Sequence, residues 1–235
     1  MVSMDKQIIR ERVWRELEAK GVVTFPRPAR GRIPNFVGSR EAAMRLRSLP
    51  AYKSTKTIFV NPDAAQLAVR ELALRDGKRL IMATPKLQKG FIMLDPSEIK
   101  DAREAVSIQG AFRQGRKTSI REVKIDLVVE GSVAVDRRGG RLGKGGGWGD
   151  LELAVLRQVG AITETTPIVT TIHPIQIVDE VPMSEHDAPV DLIVTPDRII
   201  ETTHAYPKPQ GIVWELLSSD AFKQVPILAE LKGKR

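Results

Sequence analysis

Apolar residues recur every four positions near the start of the chain, where Ile9, Val13 and Leu17 stand with Trp14 beside them. That stripe predicts an amphipathic helix over 5–20, closed by Gly21. Between 22 and 36 the periodicity stops. Pro26, Pro28 and Pro34 alternate with Arg27, Arg30 and Arg32, which predicts an extended basic arm that either binds an anion or wraps the domain. Helical spacing returns in Ala42, Ala43, Leu46 and Leu49, behind Ser39 as the expected cap. The short apolar run Thr57 to Val60 predicts a buried strand. Asp63 and Gln66 then match a capping-box pattern for a helix that Gly77 ends, and Arg79 to Met82 is the next strand. Strand, helix and strand in this order make a crossover unit, so the two strands should be parallel. Lys86 follows in a loop at a strand's carboxyl end, a place for ligand contacts.

Further along, Phe91 to Leu94 predicts a strand, Ser97 caps an expected helix over 98–106, and 109–117 reads as a basic loop. Ile125 to Val129 is a β-branched buried strand, 151–159 an amphipathic helix, and 168–172, 175–178, 190–194 and 198–200 are further strands. Ile212, Leu216 and Leu217, with Ile227 and Leu228, predict a tail that docks on the body. The pattern is that of an α/β protein. We expect one domain over 1–235, with a helix and arm over 1–36 and a docked tail over 205–235.

Composition narrows the class. The chain has 235 residues, 42% of them hydrophobic, enough for a substantial core, and no apolar run long enough to cross a bilayer. Its charged, amphipathic start is unlike a secretory signal, so a cytoplasmic protein is expected, with no membrane partner. With no cysteine, the sequence excludes disulfides, thiol nucleophiles and cysteine metal sites. The formal charge of +8 favours anionic partners such as nucleotides, RNA or polycarboxylates. Only 5% of residues are aromatic, which speaks against a dedicated RNA-recognition fold while leaving electrostatic RNA contact through the basic surface open. Monomer and homodimer are both compatible with the pattern.

The candidate chemistry centres on Arg141-Leu-Gly-Lys-Gly-Gly-Gly-Trp-Gly-Asp150. Gly143, Gly145, Gly146 and Gly147 let successive backbone N–H groups turn toward one point, and the helix that follows adds free N–H groups and partial positive charge. Arg141 and Lys144 would supply formal charge for a polyphosphate. Neither familiar phosphate motif fits, because Arg138 and Gly145 break the Walker pattern and Trp148 stands where the dinucleotide motif needs its third glycine. A flexible, solvated surface loop is the plain alternative. The order strand, glycine loop, helix favours phosphate binding. Lys6 and Arg10, one turn apart, are either an exposed basic face or a charge pair reaching a phosphate. Asp150 either caps the helix or stands near a metal. His173, His186 and His204 fall in separate loops, without a zinc pattern, and no serine sits in a nucleophile elbow.

The run Asp136 to Asp150 resembles the signature of the 5-formyltetrahydrofolate cyclo-ligases, also called methenyltetrahydrofolate synthetases: Arg-x-Gly-x-Gly-x-Gly, two aromatics, then Asp. Lys6 to Arg10 is similar to that family's N-terminal Lys-x-x-apolar-Arg element, and Glu185 to Thr195 to its late segment. The 32–36 arm and 209–214 tail look closer to the methenyltetrahydrofolate synthetase domain-containing branch and its archaeal relatives. The resemblance implies a Rossmann-like three-layer sandwich with a mostly parallel sheet, shared with ribose-phosphate isomerases and coenzyme A transferases. It implies ATP and Mg2+ as cofactors and a reduced folate as substrate, with the γ-phosphate passed to the formyl oxygen before ring closure. Carried over by position, Lys6, Arg10, Arg141, Lys144 and the amides of Gly143, Gly145, Gly146 and Gly147 would hold the phosphates, with Lys144 and Arg141 as the catalytic candidates and Trp148 beside the nucleotide. Asp63, the acid left near the first core strand, and Lys86, by its loop position, are the candidates for the substrate, and Asp150 for the metal. Two departures stand out. The second aromatic is Gly149, and the family's folate-binding glutamate after the first core strand is replaced by Asn61-Pro62-Asp63. The alternatives are a non-catalytic nucleotide- or RNA-binding member of the same fold, or an ATP-dependent enzyme acting on another pterin.

Overall fold

The computed structural model describes residues 2–217 and 219–233. In chain order the helices and strands are α1 (Val2–Ala19), α2 (Ser39–Arg47), α3 (Pro50–Ser54), β1 (Thr57–Val60), α4 (Leu67–Arg75), β2 (Arg79–Ala83), β3 (Phe91–Leu94), α5 (Ala102–Ala105), α6 (Ile108–Gln114) and β4 (Arg116–Thr118). There follow β5 (Leu127–Glu130), β6 (Ala134–Val135), β7 (Arg141–Leu142), α7 (Trp148–Gln158), β8 (Ile168–Thr171), β9 (Leu192–Val194), β10 (Ile199–Glu201), α8 (Ser219–Gln224) and α9 (Pro226–Lys232). Eight strands form one sheet in the order β10-β9-β8-β5-β1-β2-β3-β4. Its five central strands, β9 to β2, run parallel, and β3, β4 and β10 are added antiparallel at the edges.

The central strands are apolar throughout because both faces are covered. Ile58 and Val60 pack with Leu46 of α2 and Val69 of α4 on one face. Phe59 and Val128 turn to the other, against Leu153 and Leu156 of α7 and Leu228 and Leu231 of α9. Leu228 and Leu231 of the C-terminal segment are thus buried in this cluster, whereas Leu216 points to solvent, 59% exposed. A third cluster joins Val13, Trp14 and Leu17 of α1 to Ile33 and Phe36. The proline-rich arm is thus folded back rather than extended. Thr24 N donates to Asn35 O at 2.9 Å, and Trp14 Nε1 pins the arm through Arg32 O at 3.0 Å.

Several boundaries differ from the sequence expectation. Ser39 is the first residue of α2, and the position before it is Gly38 at φ +92°, with no side-chain cap. Asp63 and Gln66 form no capping box: Asp63 bonds Lys144 and Gln66 reaches Thr171. The helix expected over 98–106 is only α5, capped by Asp101, and the expected loop 109–117 holds α6, capped by Ser107, and β4. Two local caps six residues apart divide one apolar stretch into two short helices. Segment 175–178 is a helical turn at Pro174–Gln176, not a strand, because Pro174 favours a turn start and His173 caps it.

Because β2 lies on one side of β1 and β5 on the other, strand order reverses between β1 and β5. A crevice opens outside the carboxyl ends of parallel strands at such a point. Asn61 and Glu130 stand there, directly after β1 and at the end of β5. Arg70 of α4, 1% exposed, holds that rim: its guanidinium donates to the carbonyls of Asn61, Asp63 (2.9 Å) and Val106 (2.9 Å).

Candidate functional site

Three stretches far apart in sequence converge on the glycine loop. From α1, Arg10 Nε donates to Gly143 O at 2.7 Å, and its guanidinium lies 3.6 Å from where a Cβ on Gly145 would stand. Lys6 pairs with Asp187 and reaches Ser184 Oγ at 3.4 Å. From the 185–195 segment, Ala188 N donates to Asp150 Oδ1 at 3.0 Å and Ala188 O accepts from Arg141 Nε at 3.1 Å. The loop itself is held in shape by Gly145 at φ +106° and Gly147 at φ +65°, the latter just before α7 begins. Among the described residues, no hydrogen bond claims the amides of Gly145, Gly146 and Gly147, so they stand free beside a helix N-terminus. A Cβ on Gly147 meets nothing within 4 Å. Gly147→Ala should therefore cost only the strain of a left-handed alanine, about 1 kcal/mol, read as a small fall in the denaturant midpoint.

The loop is a wall between two cavities. The first, of about 370 Å3, is lined by Lys6, Arg10, Gly143, Gly145, Gly147 and His186, with Arg141, Asp150 and Asp187 at its base. Burial lowers the Arg10 pKa, with Asp187 and Asp150 opposing the fall. The second, of about 300 Å3, lies over the strand ends and is lined by Asn61, Asp63, Glu130, Lys144, Trp148 and Glu152, with Lys86 at the rim. Lys86 is exposed and left-handed at φ 54°. Of the expected nucleotide group, Lys6, Arg10 and three glycines share the first cavity, whereas Trp148 faces the second. Lys144 Nζ also faces the second, bonded to Asp63 Oδ1 at 2.8 Å.

Two expectations need correction. Arg141 is not a free cation for a polyphosphate. It is 3% exposed, and its guanidinium is spent on Asp150, on Glu130 at 3.8 Å and on the carbonyls of Ala188 and Gly131. Burial works against its charge, but Asp150 and Glu130 outweigh it and hold the pKa up. Asp150 does not cap α7, whose N-cap is Gly147 without a side-chain bond. Its Oδ1 instead ties Arg141 to the Ala188 amide. Neither residue's sequence position distinguishes a ligand contact from a brace.

The sequence also hid two acids. Glu130 is 1% exposed with neither carboxyl oxygen in a hydrogen bond, and Glu152 is 5% exposed with Oε2 accepting from Asn61 Nδ2 at 2.9 Å. Burial pushes Glu130 up to about 8; Arg141 opposes this, and Asp150 and Asp63 add to it. Burial likewise raises Glu152 well above the usual range, helped by Glu130 and Asp63. The available signal for Glu130 was a charged residue closing an apolar strand at its carboxyl end.

The model of the 5-formyltetrahydrofolate cyclo-ligase family matches residues 2–196. The mouse methenyltetrahydrofolate synthase domain-containing protein is 42% identical over 239 residues, covering 99% of this chain and 64% of its own length. The human protein of that name is 40% identical over 240 residues, covering 99% of this chain and 63% of its own length. The chain thus spans somewhat less than two thirds of these relatives. The solved structure of Aquifex aeolicus 5,10-methenyltetrahydrofolate synthetase superposes with a TM-score of 0.53 at 21% identity, over 83% of this chain and 92% of that one. At that identity it supports the fold alone, an α/β sheet of the expected kind.

Proposed function

We propose that this chain, which belongs to the 5-formyltetrahydrofolate cyclo-ligase family, converts 5-formyltetrahydrofolate to methenyltetrahydrofolate at the expense of ATP. The observation that carries this is the glycine loop standing as a common wall between a basic cavity and a polar cavity at the sheet's switch point. A reaction that passes a phosphoryl group from one bound molecule to another needs two sites meeting at one set of anion-binding amides.

The donor set fits a polyphosphate. Gly143, Gly145 and Gly147 share the first cavity with the cations Lys6 and Arg10, while Gly146 and the start of α7 line the second, so free amides are offered along the wall itself. ATP, when bound, supplies the phosphoryl group that makes the formyl oxygen a leaving group. The chain's own task is to hold and neutralise. Lys6 and Arg10 face the phosphates, and Lys144, held by Asp63, faces the formyl oxygen from the other cavity. Among the described residues no group of three or more His, Asp or Glu is arranged for a metal. Mg2+ bound mainly by phosphates and water needs only one or two carboxylates, and Asp150, which lines both cavities, is placed to be one.

The deciding assay incubates the chain with 5-formyltetrahydrofolate and Mg-ATP and follows the ultraviolet absorbance of the methenyl product. Absorbance should rise only when ATP is present; a flat trace with both substrates bound sinks the proposal. A second reading, RNA binding without turnover, draws on a groove at the opposite strand ends, lined by Lys53, Lys56, Lys78, Arg79, Arg116 and Lys117. It predicts salt-sensitive RNA binding and no product. Among the described residues no helix is long and apolar enough to cross a membrane.

A further inference from the structure

A buried pair of acids in the second cavity has no assigned task. Glu130 reaches it from the end of β5 and Glu152 from α7. Glu130 is the inner member, sealed from solvent with both oxygens outside any hydrogen bond. Such an arrangement costs free energy unless a ligand or a held proton offsets it. Glu152 is the outer member. Asn61 fixes its orientation: Gly131 N donates to Asn61 Oδ1 at 2.6 Å, so the amide must turn Nδ2 toward Glu152 Oε2. Among the described residues no donor reaches Glu152 Oε1, which is left for the cavity. Gly149 makes room for the pair, since a Cβ there would stand 2.9 Å from Glu130 Oε2. The aromatic that the family resemblance places at 149 would collide with that carboxyl.

We propose that Glu152 is the specificity residue of this cavity, held in place by Asn61 and accepting the paired N–H donors of a reduced pterin's aminopyrimidinone edge. The proposal rests on the folate reading above and deepens it. A carboxylate matches two adjacent N–H groups in one plane, and a heterocycle with acceptors on that edge is rejected. Asp63, the acid that the sequence offers for this role, has its carboxylate engaged by Lys144. The groups facing Glu152 are Glu130, Asp63 and Asn61, with Lys144 and Arg141 as the cations. Burial and then the two acids raise its pKa.

The test is calorimetric titration without ATP, using 5-formyltetrahydrofolate and, separately, plain pterin, with an ATP analogue as the control for intact folding. In Glu152→Gln the side-chain oxygen must serve Asn61, so its NH2 turns into the cavity and donors face donors. Affinity for both ligands should fall on the order of 100-fold with the nucleotide unaffected. Glu152→Gln binding both ligands as tightly as the wild type overturns the assignment and leaves the cyclo-ligase reading intact. Pterin bound through Glu152 without any methenyl product supports the assignment while removing the cyclo-ligase reading. A wild-type chain that binds neither ligand removes both.

Discussion

Arg141→Ala should lower the thermal midpoint on the order of 10 °C, a larger loss of stability than expected from any other change at the loop. The side chain is almost fully buried and joins four elements: Asp150 on α7, Glu130 on β5, the Gly131 carbonyl and the Ala188 carbonyl ahead of β9. Truncating one partner of a buried ion pair leaves the others uncompensated, at a cost of about 3–5 kcal/mol. Glu130 would lose the attraction of the Arg141 guanidinium and move further toward the protonated form. Arg141→Lys should recover only part of the loss, because an ammonium cannot present the planar fork that spans these acceptors. Melting curves check both. A midpoint within about 2 °C of wild type for Arg141→Ala would mean that the guanidinium is not the brace described here.

Lys144→Ala should do the reverse, leaving the midpoint in place and removing catalysis. Its side chain is 42% exposed and its single ion pair, with Asp63, lies at the mouth of the second cavity, so little folding energy depends on it. Facing the oxygen on which charge develops, one preorganised cation contributes about 10²–10³ in kcat. We therefore expect kcat to fall by that factor while calorimetric affinity for an ATP analogue changes much less, since Lys6, Arg10 and Gly145 line the other cavity. If kcat persists and nucleotide affinity collapses instead, Lys144 belongs to the phosphate side and the division of the two cavities is wrong.

The contrast between these two cations explains how much of the site could be read from the chain. Arg141 and Lys144 flank the same glycine and look equivalent in sequence. Arg141 lies in β7, whose pairing with β6 turns its side chain inward onto Glu130 and Asp150. Lys144 lies beyond the strand, where the chain leaves the surface. Only the pairing partner separates a brace from a ligand contact. The same holds for Glu130 and Glu152, 22 positions apart by their numbers, which become a pair because β5 and α7 pack across one crevice.

Local physics, in contrast, settled the elements whose causes are local. The β-branched and apolar runs read at 57–60, 125–129 and 168–172 form buried strands, and the strand-helix-strand unit from 57 to 82 places β1 and β2 in parallel. The glycine loop's free amides and left-handed turns follow from residues that are adjacent in the chain. Where two signals competed within a few residues, as with Asp101 and Ser107 or Pro174 and Ile175, the element boundaries were decided by which cap formed. The sequence by itself determined the α/β class, the parallel pairing of β1 with β2 and the turns of the glycine loop, because each depends on periodicity and backbone freedom within one segment. Tertiary structure alone decided which charges are spent and which are free, because a buried charge is defined by neighbours that the sheet order brings from more than a hundred positions away.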